Sequence, residues 1–172
     1  MADRAGRAPR AIAWCGASIQ GSLAWSDHRY TAYVVDSAHY GVPGATADFA
    51  GNHVVGVPDL TWAVSAAAAP AAIAPFGARV MVQGQSSYYV DDANAVSVPG
   101  YVVAAVTLRT ERPFRLSGSW GVGGFVTLNN AFDRSYIGSA FLNPEYVGGE
   151  PVAFEPGLPR NLMIGLSLEA GY

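Results

Sequence analysis

The chain has 172 residues, 51% of them apolar and only 13% charged, with a formal net charge of −3. Its ten basic residues are all arginine, which excludes a phosphate-loop lysine and a Schiff-base lysine, and Cys15 stands alone, which excludes an intrachain disulfide and a cysteine metal cluster. The charge balance gives no hint of nucleic acid or anionic lipid as a partner.

Despite the apolar composition, no segment offers about 18 clean apolar residues for a membrane helix. The closest, Thr61 to Val82, is interrupted by Pro70 and Pro75, which read as a tight connection between two strands.

In chain order, residues 1–16 carry Arg4, Arg7 and Arg10 and then a short apolar patch, Ala11 to Ala17. The patch is short for a signal peptide, holds Trp14 and Cys15, and has no convincing cleavage site. Residues 1–16 are left unassigned, as a mistranslated or disordered start, and residues 17–172 form the rest.

Six segments then alternate with period two, the mark of strands with one face each. The first runs from Ser18 to about Val35 and sets Ile19, Leu23 and Trp25 against Ser18, Gln20, Ser22 and Ser26. The second, Asp59 to about Ala68, sets Leu60, Trp62, Val64 and Ala66 against Asp59, Thr61 and Ser65. In the third, Phe76, Ala78, Val80 and Val82 oppose Arg79, Met81, Gln83 and Gln85. The fourth opposes Val102, Ala104, Val106 and Leu108 to Tyr101, Val103, Ala105, Thr107 and Arg109. In the fifth, Trp120, Val122, Gly124, Val126 and Leu128 oppose Gly121, Gly123, Phe125, Thr127 and Asn129. The last opposes Leu162, Ile164, Leu166, Leu168, Ala170 and Tyr172 to Met163, Gly165, Ser167, Glu169 and Gly171.

A soluble sandwich would alternate in the same way. Three features point to lipid instead. The segments have the roughly ten-residue length that crosses a bilayer at a tilt. Trp62, Phe76, Tyr101, Trp120 and Tyr172 sit near segment ends, where membrane girdles form. The connections also alternate between long (Asp36 to Pro58, Ser86 to Pro99, Asn130 to Pro159) and short (Ala69 to Pro75, Thr110 to Gly118). Long outside and short inside is the outer-membrane barrel pattern. The expected fold class is therefore all-β, an antiparallel transmembrane β-barrel segment of about six strands.

Four blocks resemble one family in order. Trp25-Ser26-Asp27-His28-Arg29-Tyr30, with Asp48-Phe49-Ala50-Gly51-Asn52 and Gly56-Val57-Pro58, is similar to a strand and loop of TonB-dependent receptors. Tyr88-Tyr89-Val90-Asp91-Asp92-Ala93-Asn94 followed by Val98-Pro99-Gly100-Tyr101 resembles their YxDxxN…PGY block. Asn130-Ala131-Phe132-Asp133-Arg134-Ser135-Tyr136 resembles NLFDxxY, with Ala131 for the usual Leu. Arg160-Asn161 to Tyr172, including Gly165, is similar to their closing strand, with Tyr172 for the commoner Phe or Trp.

The resemblance covers roughly Ser18 to Tyr172. It implies the C-terminal part of a plugged barrel of the roughly 22-stranded class, placed in the Gram-negative outer membrane. It further implies uptake of a scarce cargo, most commonly a ferric siderophore. The implied partners are outer-membrane lipid, the rest of the barrel with its plug, and the TonB complex acting through that plug. The family's energy-coupling box and plug are not in this sequence, so the expectation is a fragment that does not transport by itself. The alternatives are a small self-contained barrel with a structural or adhesive role, or a soluble β-sandwich binding protein.

Site chemistry is sparse. No GxSxG elbow is present, and Gly121-Val122-Gly123-Gly124 fails the dinucleotide pattern because residue 126 is Val. No enzyme activity, cofactor or bound metal is expected. Asp91 and Asp92 read as a turn with Asn94, and Asp133 with Arg134 as a corner where the chain leaves the wall. His28, His39 and His53 lie on or beside one long connection without regular spacing, which makes haem or metal ligation the rarer reading. Arg79, Gln83, Gln85 and Arg109 are expected to face the lumen.

Overall fold

The computed structural model describes residues 12–14, 16–36, 44–70, 73–116, 118–142 and 152–170. His39, Cys15 and Tyr172 lie outside the described residues. No helix among the described residues is long and apolar enough to cross a membrane.

Among the described residues, fourteen strands follow one another: β1 (Ile12–Trp14), β2 (Ala17–Trp25), β3 (Val34–Asp36), β4 (Thr46–Asp48), β5 (Leu60–Ala68), β6 (Phe76–Gln85), β7 (Tyr88–Tyr89), β8 (Ser97–Val98), β9 (Tyr101–Thr110), β10 (Phe114–Arg115), β11 (Trp120–Asn129), β12 (Ile137–Leu142), β13 (Val152–Pro156) and β14 (Asn161–Ala170). One antiparallel sheet takes β1, β2, β5, β6, β9, β11 and β10 in that order, and β14 also pairs β11. The ladder of β14 runs along the whole of β11, from Trp120↔Ala170 to Asn129↔Asn161. A strand has two edges, so β9 and β10 share the other one. Six long strands thus form a meander, as expected from the alternation. The fold is an antiparallel barrel-wall segment whose sheet stays open.

The first strand is shorter than expected. It stops at Trp25 rather than near Val35, and Val34–Asp36 is a separate strand paired with Thr46–Asp48. The cause is local: Ser26 N makes a last bond to Asp59 O at 2.9 Å. The polar run Asp27-His28-Arg29 then turns its groups to a loop partner, where Arg29 bridges to His53. At the other end, the paired β1 places Ile12 opposite Ile19 and Trp14 opposite Ala17, within the stretch left unassigned.

Register keeps one face consistent across all six strands. Ile19↔Ala66↔Val80↔Val106↔Leu128↔Leu162 is a continuous apolar row. On the reverse face, Ser18↔Ala67↔Arg79↔Thr107↔Thr127↔Met163 runs parallel to it. Because the period is two, a slip of one residue would exchange these faces completely.

Among the described residues, the apolar face has no second layer on it. Leu166 is 84% exposed, Leu23 73% and Ile164 67%. Leaving a side chain of this size in water forgoes about 1.5–3 kcal/mol each. The buried apolar cluster lies elsewhere. Tyr88, Val90 and the fully buried Val98, in the second long connection, pack with Val96 and with Ile137 and Ala140 of β12. Packing therefore fastens the long connections to each other, while the sheet presents an uncovered apolar surface.

Glycines let large neighbours lie flat on both faces. On the apolar face the Trp62 indole crosses its partner Gly84, with ring atoms 3.0 Å from where a Cβ would stand. On the polar face the Phe125 ring lies over its partner Gly165.

Candidate functional site

All three long connections, 26–59, 86–100 and 130–160, leave the same rim of the sheet, and the short turns 69–75 and 111–119 leave the other. Among the described residues, the long-loop rim carries most of the side-chain hydrogen bonding that joins distant parts of the chain.

The first and second connections are latched together. Asp92 accepts from Tyr30 Oη at 3.0 Å and from Tyr33 Oη at 3.2 Å, and its carbonyl accepts from Asn52 Nδ2 at 2.8 Å. Burial, reinforced by the bond to Asp92, raises the Tyr30 phenol above its ordinary pKa of 10.0. Asn94, with φ at 56°, faces the backbone of His53: its Oδ1 accepts from His53 N at 2.7 Å and its Nδ2 donates to His53 O at 3.1 Å. Asp91 closes the turn locally, accepting from Ala95 N at 3.1 Å and Val96 N at 2.7 Å. This is the turn chemistry that Asp and Asn favour. Asp92, by contrast, is an acceptor for the neighbouring loop.

Pro99-Gly100-Tyr101 brings the chain back into the sheet. A Cβ at Gly100 would stand 2.6 Å from Gln85 O, so only glycine fits this close backbone approach.

The third connection is knotted at its base. Asn130, the buried polar residue at the exit of β11, has φ at 46°. Its Nδ2 donates to Arg134 O at 2.8 Å and Leu158 O at 3.1 Å, and its Oδ1 accepts from Arg134 N at 2.9 Å. Asp133, with φ at 53°, receives Arg160 N at 3.0 Å and lies 3.7 Å from the Arg160 guanidinium. Asp133 thus joins the two ends of the loop. Asn129 Nδ2 donates to Asn161 Oδ1 at 3.0 Å beside it. The Tyr136 ring lies 4.4 Å from that of Tyr101 and covers Gly157. Phe132 is left out in solvent at 83% exposed.

At the root of the first connection stands a charged cluster. Arg29 Nε is 2.9 Å from Asp27 Oδ1, and its Nη2 is 2.8 Å from His53 Nε2. His53 Nδ1 faces Asp27 Oδ1 at 3.7 Å and Asp59 Oδ1 at 3.6 Å. His28 is outside this cluster and contributes only its carbonyl, accepting from Val54 N at 2.9 Å.

The polar face of the sheet holds Arg79, Gln83, Gln85 and Arg109 in register with Thr107, Val103, Tyr101 and Gly77. Arg79 Nη2 donates to Gln20 Oε1 at 2.9 Å across β5, and Arg109 Nε donates to Glu111 Oε1 at 2.9 Å. Small residues beside them (Ala63, Ala67, Ala105, Gly123) leave this face shallow. Tyr30, Tyr33, Asn52 and Asp59 had no site reading in the sequence. Tyr30 and Asn52 stood within the first resembling block, which named them without a partner.

The fold is shared with solved receptors. The siderophore receptor PiuA from Acinetobacter baumannii superposes with a TM-score of 0.64 at 16% identity, over 90% of this chain and 20% of that one. The ferric citrate transporter FecA gives 0.63 at 16% identity, over 90% and 21%. The chain has the fold of a TonB-dependent receptor barrel wall. The ferric yersiniabactin uptake receptor FyuA from Yersinia pestis agrees, with a TM-score of 0.60 at 16% identity over 90% and 21%. The chain spans about a fifth of the length of the receptors it matches. No protein-family model and no curated protein sequence matches it.

Within this fold, the rim network ties the long connections to one another and to the sheet.

Proposed function

We propose that this chain is barrel wall and external loops of a TonB-dependent outer-membrane receptor, serving uptake of a scarce cargo, a ferric siderophore in the first instance. One observation carries this reading: every long connection leaves one rim, every short turn leaves the other, and a single uncovered apolar face lies between. A ten-residue strand such as β11, at roughly 3.3 Å per residue and a tilt near 40°, spans about 25 Å, the height of an outer-membrane apolar belt.

In this reading the apolar row meets lipid, and Arg79, Gln83, Gln85 and Arg109 face the lumen, where they meet water, plug or cargo. The rest of the barrel closes the free strand edges, since lipid cannot satisfy open N–H and C=O groups. The chain is a transport component and not an enzyme. The TonB complex would act on it only through the plug of the whole receptor.

A graft tests the proposal. Residues 17–172 replace the matching fifth of a ferric siderophore receptor, and the cells are assayed for outer-membrane insertion and for uptake of the labelled ferric siderophore. The expected result is an inserted, heat-modifiable barrel with uptake above a receptor lacking that fifth. A graft that stays soluble or is degraded contradicts it.

A further inference from the structure

We propose that Asp27, His53 and Asp59 form a transition-metal site, best matched to Zn2+, that clamps the root of the first long connection. One ligand atom from each residue lies within 4.8 Å of the other two. The His53 Nδ1 distances to the two carboxylates, 3.7 and 3.6 Å, are too long for hydrogen bonds. They lie at or within about 0.1 Å of the ligand spacing around a tetrahedral ion, where bonds of about 2.0–2.2 Å separate neighbouring ligands by roughly 3.3–3.6 Å. One imidazole and two carboxylates are a zinc donor set with the fourth position open to solvent.

The ligands come from three places that the fold already holds. Asp27 follows the end of β2, and Asp59 precedes β5, joined by the bond from Ser26 N to Asp59 O. His53 is fixed at its backbone by Asn94 of the second connection. An ion here would tie the two ends of the first connection to His53 near its return, and through Asn94 to the second.

Arg29 is the competitor. A guanidinium only donates, so the contact to His53 Nε2 makes that nitrogen the acceptor and leaves the ring proton on Nδ1. Ligation through Nδ1 needs the proton on Nε2, which Arg29 must then release. The ion and the Arg29 contact therefore exclude one another. Arg29 must also give up Asp27 Oδ1, 2.9 Å from its Nε, and Gly51 O, 3.0 Å from its Nη1; its side chain, 48% exposed, is open to solvent. The site stands on rim geometry, whatever cargo the barrel carries.

The test is Zn2+ titration of the full chain in detergent micelles by calorimetry against a competing chelator, with Co2+ absorption reporting the ligands. Strand content by circular dichroism is matched first, and the same titration on the receptor graft covers a chain that does not fold alone. One Zn2+ per chain is expected, weakened more than about tenfold in both His53→Ala and Asp59→Asn. Arg29→Gln, which removes the competing charge and offers an acceptor to Nε2–H, is expected to tighten binding by about threefold or more. No binding, binding indifferent to His53→Ala and Asp59→Asn, or no gain from Arg29→Gln overturns the site. Zn2+ binding and siderophore uptake are separate readouts, so either proposal can fail without the other.

Discussion

Asn94 holds His53 by both of its peptide groups, accepting from His53 N at 2.7 Å and donating to His53 O at 3.1 Å. The two residues are 41 apart in sequence, and the pair joins the first long connection to the second. Its geometry depends on the left-handed backbone of Asn94, which asparagine tolerates better than most residues.

Replacing Asn94 separates these contributions. Asn94→Ala removes the clasp and adds left-handed strain, and should cost about 2–3 kcal/mol of local stability. Asn94→Gly keeps the backbone and should cost about 1–2 kcal/mol. Hydrogen exchange at the His53 amide measures both. Equal protection in wild type and Asn94→Ala would show that the clasp does not hold in solution.

The latch at Asp92 should depend on alkaline pH. The Tyr30 phenol is raised above 10.0, so the folded protein holds that proton more tightly than the unfolded chain. The associated stability is fully present below pH 10 and is lost as pH rises through the raised pKa. The difference in melting temperature between wild type and Tyr30→Phe should be constant from neutral pH to about 10 and shrink above it. A difference that persists unchanged at pH 11 would contradict this assignment.

Gly100 and Gly21 should respond oppositely to alanine. A Cβ at Gly100 meets Gln85 O at 2.6 Å and Ser86 C at 2.9 Å, whereas at Gly21 the nearest atom, Ala63 O, is 3.8 Å away. Gly100→Ala should destabilise by about 1–3 kcal/mol through forced backbone movement. Gly21→Ala should be neutral or stabilising by up to about 1 kcal/mol, because glycine is poor in a strand interior. Melting curves in the same detergent compare the two.

The long strands were legible in the sequence because each of them alternates, and five of the six end within a residue or two of where the pattern stops. Trp120 to Asn129 is a strand in both. The first strand was read too long because Tyr33 and Val35 share the odd parity of Ile19, Leu23 and Trp25, an apparent alternation that in fact belongs to the loop. The hairpins inside the long connections, β3 with β4 and β12 with β13, are too short for a periodic signal. The rim network was illegible for another reason. Tyr30 and Asp92 are 62 residues apart, and nothing in either neighbourhood names the other. Where a motif did stand out, as at Asn130 and Asp133, the structure shows why those types are needed: both have positive φ, and both bond across the base of a loop.

The two faces should differ in their tolerance of charge. Val80 is on the apolar face and its neighbour Met81 on the polar one. Val80→Arg should cost about 2–4 kcal/mol near a bilayer midplane and Met81→Arg about 0–1 kcal/mol. Unfolding by guanidinium from lipid vesicles gives both values, and equal costs would mean that the faces are not separated by solvent.

The most direct test of the membrane-wall account is a spin-label scan of residues 162–168 in β14, with a cysteine-free receptor graft in lipid vesicles. Labels at Leu162, Ile164, Leu166 and Leu168 should relax with oxygen, which partitions into lipid. Those at Met163, Gly165 and Ser167 should respond to a water-soluble nickel chelate, or to neither agent where a plug covers them. An alternation of the opposite phase, or nickel access at Leu166, would contradict the account.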